Sequence, residues 1–322
     1  MAKNIPFAAR EQRVSLFKDI TGRIIEQLEK GRVPWVQPWG RPGVAAVGLP
    51  RNAITGRPYS GINVLVLWGE TFRCGYFSQG WLTFRQAQEA GGMVRKGECG
   101  TSVVYADRFV PKENEGAGQE SATGEPRAIP FLKRFTVFNL AQCDGLTRAA
   151  VADTEPLSLR DIVPVGEALI EASGVDLRIG GDKAFYCPGE DFVQVPPQPA
   201  FFEQVNYYRT CFHELCHATG HPARIGRALT GAFGSKDYAR EELVAEIGSA
   251  YLCAALGIEP TVRHADYIGS WLEVLREDER AIFRAASAAS KAAAWLLDRH
   301  EEDRDQRTWF ARHMHQVGEC RA

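Results

Sequence analysis

No run of about eighteen apolar residues occurs anywhere in the 322-residue chain, so it offers no transmembrane helix. The first residues, Met1-Ala2-Lys3-Asn4-Ile5-Pro6, lack the apolar core of a secretion signal. The eight cysteines (Cys74, Cys99, Cys143, Cys187, Cys211, Cys216, Cys253, Cys320) include no Cys-x-x-Cys pair, and they read as buried or incidental thiols of a reducing cytoplasm. Together these absences predict a cytoplasmic protein with no membrane partner.

What is present is a soluble globular composition, 45% apolar and 24% charged, in a chain long enough for two domains. The net charge of −2 averages two unlike halves. Residues 1–150 hold 20 Lys+Arg against 13 Asp+Glu, and the remainder holds 18 against 27. A basic half suits a polyanion such as nucleic acid, and an acidic half suits a metal site. The boundary is expected in Ala149 to Pro156, giving domains 1–150 and 157–322.

In the first half, Val14, Phe17, Ile20, Ile24, Ile25 and Leu28 form a helical stripe that Gly31 ends. A loop with Trp35 and Trp39 follows, and then Pro50 to Asn63, where Arg51, Arg57 and Tyr59 interleave cations, aromatics and turn residues. A helix is expected over Ile62 to Phe72, and Trp81 to Ala90 reads as a strand entering a helix capped by Thr83. Thr101 to Tyr105 and Phe131 to Asn139 read as strands with a polar tip, Lys112 to Arg127, between them. The second half restarts with a helix from Val163 to Ser173 and a strand from Val175 to Ile179. A hairpin, Ala184–Cys187 with Phe192–Val195, comes next. A strand there could pair with an extended peptide. The fold class expected is α+β, closed by a helical region from Tyr267 to Arg299.

The chemistry is carried by Cys211 to Gly220, which contains His-Glu-x-x-His. On a helix, His213 and His217 share a face and can hold one metal ion, while Glu214 beside them suits a general base. Val205, Tyr208, Phe212, Leu215 and Thr219 supply the helical spacing, and Gly220 and Pro222 the stop. On the following helix, Glu242 and Glu246 lie one turn apart among apolar residues, so a third ligand and a partner for a ligand imidazole are both at hand. Zinc, or another divalent transition metal, is the expected cofactor. Between these helices, residues 221–235 form a connection that could gate a substrate or simply join elements. His221, Tyr238 and His264 are possible oxyanion stabilisers.

These stretches resemble the ArdC-type antirestriction proteins of conjugative plasmids over nearly the whole chain. The matching residues are Trp35 to Trp39, Pro50-Arg51-Asn52 with Gly56, Arg57, Tyr59, Gly61 and Asn63, and Phe135 to Asn139 with Gln142 and Gly145. In the second half they are His213 to His221, Tyr238 to Glu246, and Tyr267-Ile268 with Trp271. The resemblance implies an N-terminal single-stranded DNA-binding domain, shared with certain plasmid primases, and a gluzincin-like metallopeptidase domain that together protect incoming plasmid DNA from restriction. The Glu-x-x-Ala pattern places Glu242 as third ligand, with Glu246 standing where wider gluzincin families have Asp or Asn.

Single strands are held by cations plus aromatic faces on which bases stack, and Trp35, Trp39, Arg51, Arg57, Tyr59, Trp81 and Arg85 are the residues nominated. The leading reading is a zinc-dependent peptidase, acting on an unidentified protein, that single-stranded DNA recruits. The competitor is a non-proteolytic DNA-coating protein with a structural or relic metal site. A primase is disfavoured, since no acidic cluster for nucleotidyl transfer is evident.

Overall fold

Apolar residues spaced by three and four, Ile20, Ile24 and Leu28, make the buried stripe of the first helix, α1 (Leu16–Glu29). The structure, a computed structural model, describes residues 16–36, 48–109, 129–146, 159–229, 231–232, 234–259 and 267–319. Strand β1 (Arg51–Asn52) and helix α2 (Ile62–Cys74) follow, and β2 (Gly80–Leu82) runs into α3 (Phe84–Glu89). Thr83 caps α3 as expected: its hydroxyl accepts from the Gln86 N–H, and the Gln86 side chain accepts from the Thr83 N–H. Strands β3 (Met93–Val94), β4 (Thr101–Phe109), β5 (Ile129–Asn139) and β6 (Cys143–Asp144) complete this half. A four-stranded sheet has the order β1-β2-β5-β4, and β3 pairs with β6. The polar tip at Lys112–Arg127 and the boundary at Ala149–Pro156 lie outside the described residues.

In the second half, α4 (Leu159–Ser173) precedes β7 (Asp176–Ile179), β8 (Phe185–Cys187) and β9 (Phe192–Val195). These form a sheet of order β7-β9-β8, so the central strand has both edges taken and an added peptide would have to pair with β7 or β8. Helices α5 (Gln204–Ala218) and α6 (Lys236–Ala255) then carry the motif residues. The helical region expected over Tyr267–Arg299 is two helices, α7 (Ile268–Glu277) and α8 (Ala281–Glu319). Between them Asp278 Oδ1 accepts the Arg280 N–H at 2.9 Å, a local turn bond that competes with helix continuation.

The two halves share one hydrophobic cluster. Trp35 meets Trp271 edge-on at 5.4 Å, Trp68 meets Tyr251 at 5.7 Å, and Phe17 meets Phe283 at 4.6 Å. Gly61, at φ 60°, is gripped from the other half on both backbone groups: its N–H donates to Ser290 Oγ at 2.7 Å and its carbonyl accepts from the Tyr251 hydroxyl at 2.9 Å. A side chain is disfavoured at that φ, so glycine is what lets α2 start there.

Candidate metal centre and nucleic-acid face

Helix α5 is buried on nearly all sides, and it presents His213 and His217 toward α6. There the His213 and His217 Nε2 atoms lie 3.1 Å apart, and Glu242 places Oε2 3.3 Å from the first and Oε1 3.4 Å from the second. Donors arranged tetrahedrally at about 2.0–2.1 Å from an ion stand about 3.3–3.4 Å from one another. The two Nε2 atoms and the two oxygens of the Glu242 carboxylate stand at spacings close to these, so the three residues are grouped to hold one divalent cation. Glu214 is buried beside them, and among the described residues its carboxylate has no hydrogen-bond or ion-pair partner, which keeps its lone pairs available to a proton.

The other ring nitrogens face carboxylates as well. His213 Nδ1 lies 3.5 Å from Glu246 Oε1, and His217 Nδ1 donates to Glu241 Oε1 at 3.3 Å. Each imidazole is thus turned so that Nε2 addresses the ion position. Sequence reasoning missed Glu241; its signal was a carboxylate adjacent to a ligand on a buried helix. Burial works against charge on His217, but hydrogen bonds to Glu241 and Glu242 and the charge of Glu214 outweigh it and push its pKa up to about 10. Burial likewise works to raise Glu242, yet hydrogen bonds from His213 and His217 hold it well below the usual carboxylate range. The field of the site favours a cation.

The first part of the connection, residues 221–229, is fastened by two arginines. Arg224 binds both carboxylate oxygens of Asp191, at 2.8 and 3.0 Å, and donates to the Ala218 carbonyl at 2.8 Å. Arg227 donates to the Cys216 carbonyl and to Thr219 Oγ1, both at 2.7 Å, and to Glu241 at 2.7 Å. Two arginines so satisfy the carbonyl end of α5, and the plain-connection reading is the one the geometry supports. Of the oxyanion candidates, Tyr238 has its hydroxyl pKa raised by burial, by Tyr267 and by the nearby Glu242 carboxylate, and its hydroxyl lies 3.3 Å from that of Tyr267, so it stands beside the metal cluster. His221 instead accepts from the Ala223 N–H at 3.2 Å within its own loop, and His264 lies outside the described residues.

The nucleic-acid nominations divide. Trp35, Tyr59 and Trp81 are buried, Trp35 against Trp271 and Trp81 against Tyr76, so these three rings are packing residues with no face for a base. Ring type is legible in a sequence; the side that a ring faces is set by long-range packing. Trp39 lies outside the described residues, Arg51 is half-buried, and Arg57 and Arg85 are exposed, with Arg85 bonded to Glu89 at 2.7 Å. Sequence reasoning missed the pair Tyr105 and Phe135, which are 49% and 37% exposed and meet edge-on at 5.5 Å on one face of the β4–β5 ribbon. Lys133 lies over the Phe135 ring, 5.2 Å from its centroid, and is paired in register with Tyr105.

Residues 164–288 match the family described as Zincin-like metallopeptidase, and residues 15–138 match the N-terminal domain of anti-restriction factor ArdC. The class is therefore a zincin-like metallopeptidase domain preceded by an ArdC-type N-terminal domain, in the α+β fold described above. The chain is 38% identical over 286 residues to uncharacterized protein y4eC of Sinorhizobium fredii (strain NBRC 101917 / NGR234), covering 87% of this chain and 91% of that protein. It is also 38% identical over 303 residues to DNA primase TraC of Escherichia coli, of which it spans 27%. Among solved structures, the metal-free antirestriction ArdC protein from plasmid R388 superposes with a TM-score of 0.73 at 38% identity, covering 89% of this chain and 98% of that one. Its Mn(II)-bound form gives 0.71. The chain belongs to the ArdC family of antirestriction proteins.

Proposed function

We propose that this protein is a metal-dependent peptidase that engages single-stranded DNA in the cytoplasm and protects incoming plasmid DNA from restriction. The observation that carries the peptidase reading is the cluster of His213, His217 and Glu242, with the two Nε2 atoms 3.1 Å apart and a Glu242 carboxylate oxygen 3.3 Å from one and the other oxygen 3.4 Å from the second. Those three residues would hold zinc or another divalent transition metal, and the Mn(II) form of the R388 protein supports the wider choice. Bound there, the ion would supply a Lewis acid that polarises a scissile carbonyl and acidifies water. Glu214 takes the proton released on attack and returns it to the departing amine. The Tyr238 hydroxyl, at the rim of the cluster, is placed to donate to the carbonyl oxygen as charge develops on it. An extended peptide is held by pairing along β8, which packs near α5.

The DNA reading rests on a basic half and on the exposed Tyr105–Phe135 pair under the Lys133 ammonium, which offers ring faces and positive charge together. Base stacking on such rings contributes roughly 1–3 kcal/mol per base. Arg57 is exposed to phosphates on the same half, whereas Arg85 is tied to Glu89 and the buried rings offer no face.

One experiment on the full chain separates these roles. Glu214→Gln is expected to retain its metal and its affinity for oligo-dT while losing casein hydrolysis by about a hundredfold or more. Tyr105→Ala/Phe135→Ala is expected to weaken oligo-dT binding with hydrolysis unchanged. Casein cleavage that survives in Glu214→Gln would sink the peptidase assignment. Full antirestriction by that variant in a conjugation assay would make DNA coating the better account of protection.

A further inference from the structure

A further cavity includes no residue of the His213–His217–Glu242 cluster or of the Tyr105–Phe135 pair, although it borders Arg227, which holds Glu241. It is a cleft of about 560 Å³ between the start of α1, the turn at Ile225–Arg227 and the first turns of α8. Small-molecule sites commonly span roughly 300–1,000 Å³. Its lining is cationic although the half that supplies most of it is acidic: Arg227, Arg280, Arg284 and Lys291 all border it, together with the rings of Phe17 and Phe283.

Two of these cations are already matched. Arg227 is bonded to Glu241, and Arg284 to Asp278. Arg280 and Lys291 have no carboxylate partner among the described residues; the Arg280 guanidinium rests 4.8 Å from the Phe17 centroid. Arg280 directly precedes α8 and Arg284 sits in its first turn, and Asp278 accepts from the Arg280 N–H and from the Arg284 side chain. That carboxylate leaves the Arg280 guanidinium and the Lys291 ammonium bordering the cleft unmatched among the described residues.

We propose that this cleft binds a phosphate ester, either a free nucleotide or a phosphate of a nucleic-acid strand. Three guanidiniums, an ammonium and the Ser287 hydroxyl border one opening. A phosphate presents at least three acceptor oxygens and up to two charges to such a set, where a carboxylate presents two oxygens and one charge. The Phe17 and Phe283 rings, meeting at 66° and 4.6 Å, add an apolar wall against which a base or sugar can lie.

The test uses the full metal-loaded chain and the variant Arg280→Glu/Lys291→Glu, with Arg280→Gln/Lys291→Gln as the milder pair should the first fail to fold. Inorganic phosphate, thymidine 5′-monophosphate and a short oligo-dT strand are titrated at low salt by calorimetry. The wild type should bind phosphate and the nucleotide, and the variants should bind both about tenfold or more weakly. If oligo-dT weakens in step and loses part of its salt dependence, the strand is the source of the phosphate. If oligo-dT is unaffected, the source is a free nucleotide. Wild-type protein that binds neither phosphate nor nucleotide, variants that bind them as well as wild type, or capture of an oligoglutamate peptide in their place would each overturn the proposal. Because no residue of the metal cluster or the Tyr105–Phe135 face is changed, failure here leaves the peptidase and DNA readings standing.

Discussion

Three carboxylates on one helix end up with three different jobs because each meets a different atom. Glu242 reaches both Nε2 atoms, Glu246 reaches His213 Nδ1, and Glu241 reaches His217 Nδ1 while Arg227 holds it from behind. Glu242→Ala should therefore empty the site of most metal, whereas Glu241→Ala and Glu246→Ala should each weaken metal affinity by about 10–100-fold. Competition against a chromophoric chelator measures all three, and near-normal affinity in Glu242→Ala with an empty Glu246→Ala protein would exchange their roles. Asp191 gives a prediction of a different kind. Burial works to raise its carboxyl, but hydrogen bonds from Arg224 and Tyr186 outweigh it and hold it below the usual range. A depressed folded pKa means that the stabilisation is present above the unfolded value of about 3.9 and is lost as pH falls through the folded value. Asn tolerates the positive φ of 55° found here, so Asp191→Asn isolates the charge. It should cost about 1 kcal/mol at pH 7 and nothing once the wild-type carboxyl is protonated, as read from denaturant midpoints across pH.

At the scale of elements, the motif helix α5 can be buried on nearly every side only because its neighbours come unusually close. A Cβ at Gly166 of α4 would stand 2.4 Å from the Tyr208 ring, and one at Gly248 of α6 would stand 2.7 Å from Cys216 Sγ. In an exposed helix, Gly→Ala gains roughly 0.5–1 kcal/mol. Here the sign should reverse: Gly166→Ala should lose about 1–3 kcal/mol in urea unfolding, since ring and backbone must shift. A neutral or stabilising outcome would show that α4 and α5 are not seated so tightly. The clasp of Arg224 and Arg227 on the carbonyl end of α5 belongs to the same design. It keeps the helix from fraying one turn beyond His217, where lost order would move a ligand.

The whole molecule behaves as two sequence halves around one core. Trp35 on Trp271, Trp68 on Tyr251 and Phe17 on Phe283 each join residues of the first half to the second. Thr21 adds a hydrogen bond to the Glu279 carbonyl at 2.7 Å. Cutting the chain near residue 150 would strand those rings in water. Scanning calorimetry of the intact protein should therefore show a single cooperative transition, and Trp271→Ala should lower it for both halves together by about 3–5 kcal/mol of stability. Two separate transitions, with only the later half affected by Trp271→Ala, would show that the halves fold alone. No helix among the described residues is long and apolar enough to cross a membrane.

The sequence by itself determined what local geometry controls. The four-residue spacing of His213 and His217 puts both rings on one helical face whatever surrounds them. Thr83 with Gln86 starts α3 through bonds made within one turn, and alternation marks β4 and β5. Tertiary structure alone decided the rest. Trp35, Tyr59 and Trp81 carry the same chemistry as Tyr105 and Phe135, yet the first three are core and the last two face solvent, because exposure depends on residues far along the chain. Glu241 became a partner of His217 because α6 packs against α5, and the connection between them brings Arg227 to the same carboxylate. The phosphate cleft exists only because α1 of the first half lies beside α8 of the second. Spacing along a helix or strand is a property of the backbone, whereas which side faces water, and which charges meet, is settled by packing between distant segments.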